Sequence, residues 1–151
     1  MYDRRKVRIN ILSAGRFHVL DLARELRTEG FDVKFYSYVP KPRCEKFGLQ
    51  STCCASYFWI AAPWILLDKG IRHVFPRIRV FSDIRKILMD HFVGLCMRDC
   101  DILIAMSGEF VYSLKCAKKK GAIIIVERGS KHILEQKKIL ENIVSGGGWT
   151  I

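Results

Sequence analysis

The polar residues best suited to chemistry follow an uninterrupted apolar run late in the chain. Residues 122–126 read AIIIV, and Glu127, Arg128, Ser130 and His132 come directly after them. Such groups can bind sugar hydroxyls and phosphate oxygens, and arginine offers a planar fork of donors for this purpose. They can also pair with one another as a surface network. The residues alone leave both interpretations open.

Two other predicted strands end in small and polar residues. Residues 7–12 are followed by Ser13, Ala14, Gly15, Arg16 and His18, and residues 102–105 are followed by Ser107, Gly108 and Glu109. Small residues let the backbone approach a ligand, and the N-terminus of a following helix offers free N–H groups to a phosphate or carboxylate. The pattern predicts part of a substrate cleft, although serine and glycine are also ordinary turn residues. Neither a Gly-x-Gly-x-x-Gly fingerprint nor a P-loop is present.

Helical periodicity and strand-like runs indicate the elements that hold these loops. Val19, Leu22, Ala23 and Leu26 recur at helical spacing, and Gly30 can end that helix. Residues 32–37 alternate in polarity and predict a strand. Helices are also predicted over residues 109–120 and 130–142.

A further helix is predicted between the loop at residues 13–18 and the strand at residues 102–105. Ser82 is the expected N-cap, and one face carries Ile84, Ile87, Leu88, His91 or Phe92, and Leu95. Continuous apolar strands are typical of a parallel sheet that helices cover on both faces. The order of elements predicts an α/β, three-layer Rossmann-like domain with a mostly parallel sheet over residues 1–143. Residues 144–151 are expected to form a Gly-rich tail or a truncated linker.

In such a sheet the carboxyl ends of parallel strands share one edge, where ligands bind. The loops after residues 12, 106 and 126 are therefore expected to converge. The four histidines lie far apart and no cysteine pair has zinc-ligand spacing. The sequence predicts neither a metal site nor a cofactor.

Composition narrows the class of partner. The net charge is +11, with 26 Lys and Arg against 15 Asp and Glu, which favours an anionic partner. No nucleic-acid-binding motif is present, so we expect an anionic membrane surface or a phosphorylated ligand rather than nucleic acid. The six cysteines form no C-x-x-C pair, and the N-terminal apolar stretch is too short for a signal peptide. These features predict a cytoplasmic chain, either free or peripheral at the inner face of the membrane.

The middle of the chain contains an uncharged segment, residues 55–67, which includes Trp59 and Trp64. It is shorter than the roughly 20 residues that a spanning helix needs. Lysines and arginines flank it on both sides. Two interpretations follow: a buried helix that begins or kinks at Pro63, or a surface that contacts an anionic membrane or a lipid-linked acceptor.

Two segments resemble family 4 (group 1) glycosyltransferases with the GT-B fold. Residues 13–33, SAGRFHVLDLARELRTEGFDV, resemble the first βαβ unit of that family, where a Gly-containing loop precedes a segment similar to LDLARELxxxGHDV. Residues 127–136, ERGSKHILEQ, resemble the corresponding strand end of bacterial members. The chain departs from the pattern at Ala14, where the family usually has glycine, and at Phe31, where it usually has histidine.

The resemblance implies half of a GT-B fold: an N-terminal domain that binds a saccharide or lipid-linked acceptor for cell envelope polysaccharide biosynthesis. It implies that Gly15 and its neighbours face the diphosphate of a nucleotide-sugar bound mainly by a C-terminal domain, and that Arg128 and His132 line or support the cleft. It assigns no catalytic residue to this chain, which is expected to be inactive alone.

Two alternatives remain. The chain can be a natural half-enzyme that docks on a separate donor-binding subunit. It can also be a non-catalytic or regulatory basic Rossmann-like module that binds an anionic membrane.

Overall fold

Strands and helices alternate along most of the chain. The computed structural model describes residues 7–15, 18–74 and 80–128. The strands are β1 (Arg8–Leu12), β2 (Asp32–Ser37), β3 (Cys54–Ser56), β4 (Ile102–Met106) and β5 (Ile123–Glu127). The helices are α1 (Val19–Thr28), α2 (Lys41–Lys46), α3 (Phe58–Val74), α4 (Val80–Cys96) and α5 (Tyr112–Lys119).

The strands form one sheet in the order β3-β2-β1-β4-β5, and every pair is parallel. This confirms the α/β, Rossmann-like three-layer class. Ile9 of the central strand β1 lies opposite Val33 of β2 and Ile102 of β4. The strand order reverses between β1 and β4, which makes this the topological switch point of the sheet.

Helices cover the two faces of the sheet in separate groups. On the first face, Val19, Leu20 and Ala23 of α1 pack with Ile11 and Phe35. On the second face, α3, α4 and α5 contribute a core in which Ala61, Met89, Val93 and Ala117 pack with Leu103. The helices after β1 and β4 therefore leave the switch point on opposite faces.

Residues 7–37 follow their sequence pattern closely. The strand predicted over residues 32–37 is β2, and the helix predicted from Val19 is α1. Gly30 has φ +92° just after α1, a conformation that glycine adopts without steric cost. Local periodicity predicts these elements correctly because α1 has a single apolar face, and that face packs against the sheet.

The helix α4 corrects two sequence predictions. It begins at Val80, so the expected N-cap Ser82 lies inside the helix. Its predicted apolar face turns partly outward: Ile87 is 58% exposed and Leu95 is 72% exposed, whereas Met89 and Val93 are buried. Because α4 carries apolar residues on more than one face, helical spacing does not identify the face that meets the sheet.

Two further predictions need correction, and two others lie outside the described residues. The helix expected over residues 109–120 begins only at Tyr112. The strand β5 is half exposed although its apolar run predicts full burial, because it lies at the sheet edge with β4 as its one strand neighbour among the described residues. The helix predicted over 130–142 and the tail 144–151 are not described.

Ion pairs gather at the amino edge of the sheet. Arg98 donates from Nη1 to Asp32 Oδ2 at 2.8 Å and from Nε to the buried Asn10 at 3.3 Å. Arg8 and Asp101 pair at the same end of β1 and β4. These charges satisfy one another, so chemistry on an external ligand is better sought at the opposite edge.

Candidate functional site

The first loop at the carboxyl edge follows β1. Ser13 is fully buried, and its backbone N–H donates to the carbonyl of Tyr36 at 3.1 Å. Its hydroxyl has no hydrogen-bond partner in the described part of the chain. Ala14 and Gly15 are half-buried, whereas Arg16 lies outside the described residues. A buried hydroxyl without a partner carries a free-energy cost.

The second loop follows β4 and contacts the first. Gly108 has φ +82°, a left-handed conformation that favours glycine. This turn brings the carboxylate of Glu109 to the first loop, where the backbone N–H of Ala14 donates to its Oε2 at 3.0 Å. The N–H of Ser107 donates to the carbonyl of Glu127 at 2.8 Å, which links the loop to the end of β5.

The third strand end contributes Glu127 and Arg128. His18, the residue that precedes α1, forms a short hydrogen bond from Nε2 to the carboxylate of Glu127. Both side chains are partly exposed, at 48% and 31%. Arg128 is exposed, and Ser130 and His132 lie outside the described residues. The three loops therefore meet at one edge of the sheet, as the sequence predicts.

We call Ala14, His18, Ser107, Glu109 and Glu127 the carboxyl-edge cluster. Its contacts span the topological switch point, because β1 and β4 are neighbours whose helices leave on opposite faces. Carboxylate oxygens can accept hydrogen bonds from sugar hydroxyls. An imidazole paired with a carboxylate can take a proton from a hydroxyl, since the carboxylate stabilises the resulting cation. The cluster thus combines hydroxyl binding with a proton acceptor.

Asp90 is the residue that sequence analysis missed. It lies on α4 and is 6% exposed, and its carboxylate accepts backbone N–H donors from Val111, Tyr112 and Ser113 at 2.8, 2.7 and 2.8 Å. The hydroxyl of Ser113 donates to the same carboxylate. One signal was available: Asp90 is the one formal charge between Ile87 and Met97.

The environment of Asp90 favours its charged form. Burial acts to raise its pKa, but the hydrogen bonds from Ser113, Val111 and Tyr112 outweigh burial and lower the pKa below the ordinary value. The carboxylate therefore occupies the N-terminus of α5 as an internal anion. An external phosphate cannot bind those three N–H groups, which corrects the expectation that the second loop offers a free helix N-terminus.

The N-terminus of α1 differs from that of α5 in its capping. His18 is its N-cap and makes no side-chain hydrogen bond to the first turn. The unpartnered hydroxyl of Ser13 belongs to the same loop. A helix N-terminus carries partial positive charge and free N–H groups, so an anion is stabilised there. Among the described residues the first turn of α1 has no side-chain cap, although the Glu109 carboxylate already accepts the N–H of Ala14 in the preceding loop.

The tryptophans of the uncharged segment lie on α3. Trp59 is 82% exposed, Leu66 is 70% exposed, and Trp64 is half-buried. Pro63 lies inside the helix, so the helix does not begin there. The segment begins at the carboxyl edge, because the N–H of Tyr57 donates to the carbonyl of Ser37 at the end of β2, at 2.8 Å. Partial exposure of this segment is confirmed, and its partner stays a prediction.

Across the described ranges, no helix is both long enough and apolar enough to traverse a bilayer. The same residues contain no group of three or more His, Cys, Asp or Glu side chains that could hold a metal ion.

Comparison of the chain with protein-family models, with curated proteins and with solved structures found no match in any of the three.

Proposed function

We propose that this chain is the acceptor-binding domain of a glycosyltransferase that moves a sugar from a nucleotide-sugar to a saccharide or lipid-linked acceptor. The observation that carries the proposal is the carboxyl-edge cluster, in which Ala14 bonds to Glu109 and His18 bonds to Glu127 across the switch point. The resemblance of residues 13–33 to family 4 glycosyltransferases supports the same function.

The chemistry of sugar transfer matches the groups at this edge. The acceptor oxygen forms a bond to the anomeric carbon, the bond from that carbon to the diphosphate breaks, and the nucleoside diphosphate leaves with the electron pair. The acceptor hydroxyl must lose its proton, and the His18–Glu127 pair can receive it. The partial positive charge at the N-terminus of α1, which has no side-chain cap, and the exposed Arg128 can stabilise the negative charge of the leaving diphosphate.

The donor is expected to bind mainly to a second domain or to a separate subunit. The purified chain should therefore bind saccharides weakly at the carboxyl edge and transfer no sugar. Backbone amide NMR of the chain, titrated with saccharides and nucleotide-sugars, tests this. Saccharides should shift the amides of residues 13–15, 107–109 and 127.

A matched pair of variants sharpens the test. Glu109→Gln should weaken saccharide binding because it removes a carboxylate of the cluster, whereas Glu45→Gln on the exposed surface of α2 should not. Saccharide binding that is absent, or equal in both variants, contradicts the proposed function. Sugar transfer by the purified chain alone contradicts the assignment of the donor site to a partner domain.

We further propose that the exposed face of α3 attaches the domain to an anionic membrane surface. Trp59, Pro63, Leu66 and Gly70 follow one another at helical spacing, all four are exposed, and residues 58–67 carry no charge. Burial of Trp59 and Leu66 in the interfacial region contributes on the order of a few kcal/mol at about 25 cal/mol per Å². The net charge of +11 adds attraction to anionic lipid that salt weakens.

Co-sedimentation with phosphatidylserine and with phosphatidylcholine vesicles tests this attachment. Wild type should bind the anionic vesicles at low salt, and a Trp59→Ser/Leu66→Ser variant should lose binding. Ile123→Ser removes an exposed apolar residue from β5 and serves as the control. Negligible binding by wild type, or an equal loss in the control, contradicts a membrane role for α3.

A further inference from the structure

A cavity of about 460 Å³ lies beside the carboxyl-edge cluster, between α4 and the start of α5. Its lining includes Asp83, Lys86, His91, Glu109, Tyr112 and Lys115. Glu109 belongs both to this cavity and to the cluster, where it accepts the N–H of Ala14. A molecule in this α4–α5 cavity is therefore adjacent to the β1–α1 loop.

One wall of the cavity is aromatic. The rings of His91 and Tyr112 stack with centroids 4.7 Å apart and an interplanar angle of 7°. Gly94 makes room for this arrangement, since a Cβ at that position would lie 2.5 Å from Cδ1 of Tyr112. The Nδ1–H of His91 donates to the carbonyl of Ile87 at 2.9 Å, which holds the imidazole in place. Aromatic faces of this kind pack against the C–H faces of sugar rings.

The aromatic wall is held rigidly. Asp90 accepts the backbone N–H of Tyr112 at 2.7 Å, and the same carboxylate accepts Val111 and Ser113. Interaction with the neighbouring Cys116 thiol raises the pKa of the Tyr112 hydroxyl. Because Asp90 fixes the backbone of Tyr112, the tyrosine ring is positioned to line the cavity.

The charges of the cavity fall into two groups. Asp90 accepts four donors, and Glu109 accepts the Ala14 amide. The side chains of Lys86, Lys115 and Asp83 form no hydrogen bond or ion pair with any residue in the described ranges. The side chains without a partner are thus the ammonium groups of Lys86 and Lys115 and the carboxylate of Asp83. The two ammonium groups can donate to an anionic group of a ligand, and Asp83 can accept hydrogen bonds from its hydroxyls.

We propose that the α4–α5 cavity binds the acceptor, and that this acceptor is a saccharide bearing an anionic group. The inference rests on the proposed function and adds the chemical class of its substrate. The sugar ring packs against His91 and Tyr112, and Lys86 and Lys115 bind the carboxylate of a uronic acid or the phosphate of a sugar phosphate. Both anions present oxygen acceptors to the lysine ammonium groups.

Amide NMR titration of the purified chain with four probes tests the inference: methyl glucoside, methyl glucuronide, glucose 1-phosphate and inorganic phosphate. The two anionic sugars should bind at least about tenfold more tightly than methyl glucoside, with shifts at residues 86–91 and 108–115, and added salt should reduce the difference. If methyl glucuronide binds more tightly than glucose 1-phosphate, the anionic group is a carboxylate, and the reverse order identifies a phosphate.

Two double variants, each of which removes two lysine charges, are compared for their binding of the anionic sugars. Lys86→Gln/Lys115→Gln should weaken binding of the anionic sugars about tenfold, whereas Lys118→Gln/Lys119→Gln, exposed residues of α5, should leave it unchanged. Shifts confined to residues 13–15 and 127 overturn the inference and leave the proposed function intact. Binding of inorganic phosphate as tight as that of glucose 1-phosphate, or equal binding of methyl glucoside, also overturns it. Binding of no sugar anywhere overturns both.

Discussion

Two strand-to-helix junctions at the same edge of the sheet have similar sequences and different chemistry. The first junction, residues 13–15 with the start of α1, has an unpartnered serine hydroxyl and no side-chain cap. The second junction, residues 107–113, has the Asp90 carboxylate at its helix N-terminus. The helix N-terminus of the first junction thus has no side-chain cap among the described residues, whereas that of the second is satisfied internally. In the loop before the first helix, the N–H of Ala14 already donates to the Glu109 carboxylate.

The difference teaches that a strand, a Ser-Gly turn and a helix do not by themselves make an anion site. The free N–H groups of a helix end are available only if no side chain from elsewhere reaches them. At the second junction the anion is Asp90 of α4. The same carboxylate accepts the backbone N–H of Tyr112, whose ring stacks with His91 in the wall of the α4–α5 cavity.

Among the substitutions that test this comparison, removal of the Asp90 carboxylate should change the free energy of unfolding most. Asp90→Ala leaves three backbone N–H groups without their acceptor, and we expect the free energy of unfolding to fall by about 3 kcal/mol. Urea denaturation measures this change. Asp83→Ala, an exposed acidic residue of the same helix, is the matched control and should change stability by less than about 0.5 kcal/mol. Equal losses would mean that the second junction is as open as the first.

The second prediction concerns the close contact between Gly94 of α4 and Tyr112 of α5. Gly94→Ala places a Cβ 2.5 Å from the Tyr112 ring and 3.3 Å from the Cα of Ser113, so the ring must move. We expect a net loss of about 1–2 kcal/mol, together with displaced ring resonances of His91. Gly70→Ala in α3 meets no atom within 4 Å and should instead raise stability by about 0.5–1 kcal/mol. A stabilised Gly94→Ala protein would contradict the close contact.

The two serines allow a direct comparison of the junctions. Ser113→Ala removes a hydroxyl that donates to Asp90 and should lower the free energy of unfolding by about 1 kcal/mol. Ser13→Ala removes a buried hydroxyl without a partner in the described structure and should leave stability unchanged or raise it by up to about 1 kcal/mol. Equal destabilisation by both substitutions would show that Ser13 is as fully bonded as Ser113.

The smallest expected effect is a pH dependence specific to Asp90. Because its folded pKa is lowered, the stabilisation is fully present above the unfolded pKa of about 3.9 and is lost as pH falls through the folded value. The difference in unfolding free energy between wild type and Asp90→Asn should therefore be constant above about pH 5 and should narrow in acid. A difference that grows as pH falls would mean that the folded pKa is raised.

Most of the candidate site follows from the order of elements. The apolar runs identified the strands, and because parallel strands end at one edge, Ala14, Glu109 and Glu127 had to lie near each other. The start of α5 did not follow. The α5 helix begins at Tyr112 because Gly108 turns the chain and Asp90 holds residues 111–113, and Asp90 is 21 to 23 positions away in the sequence.

The sequence by itself determined the α/β class, the small and polar residues at the ends of the central strands and the uncharged segment that α3 exposes. Each of these depends on local composition or on a period of two or 3.6 residues. Only the tertiary structure decided which face of α4 meets the sheet, which helix N-terminus stays open and where the α4–α5 cavity lies. The physical reason is that these outcomes depend on packing between distant segments, where Gly94 admits Tyr112 and Asp90 reaches the start of α5.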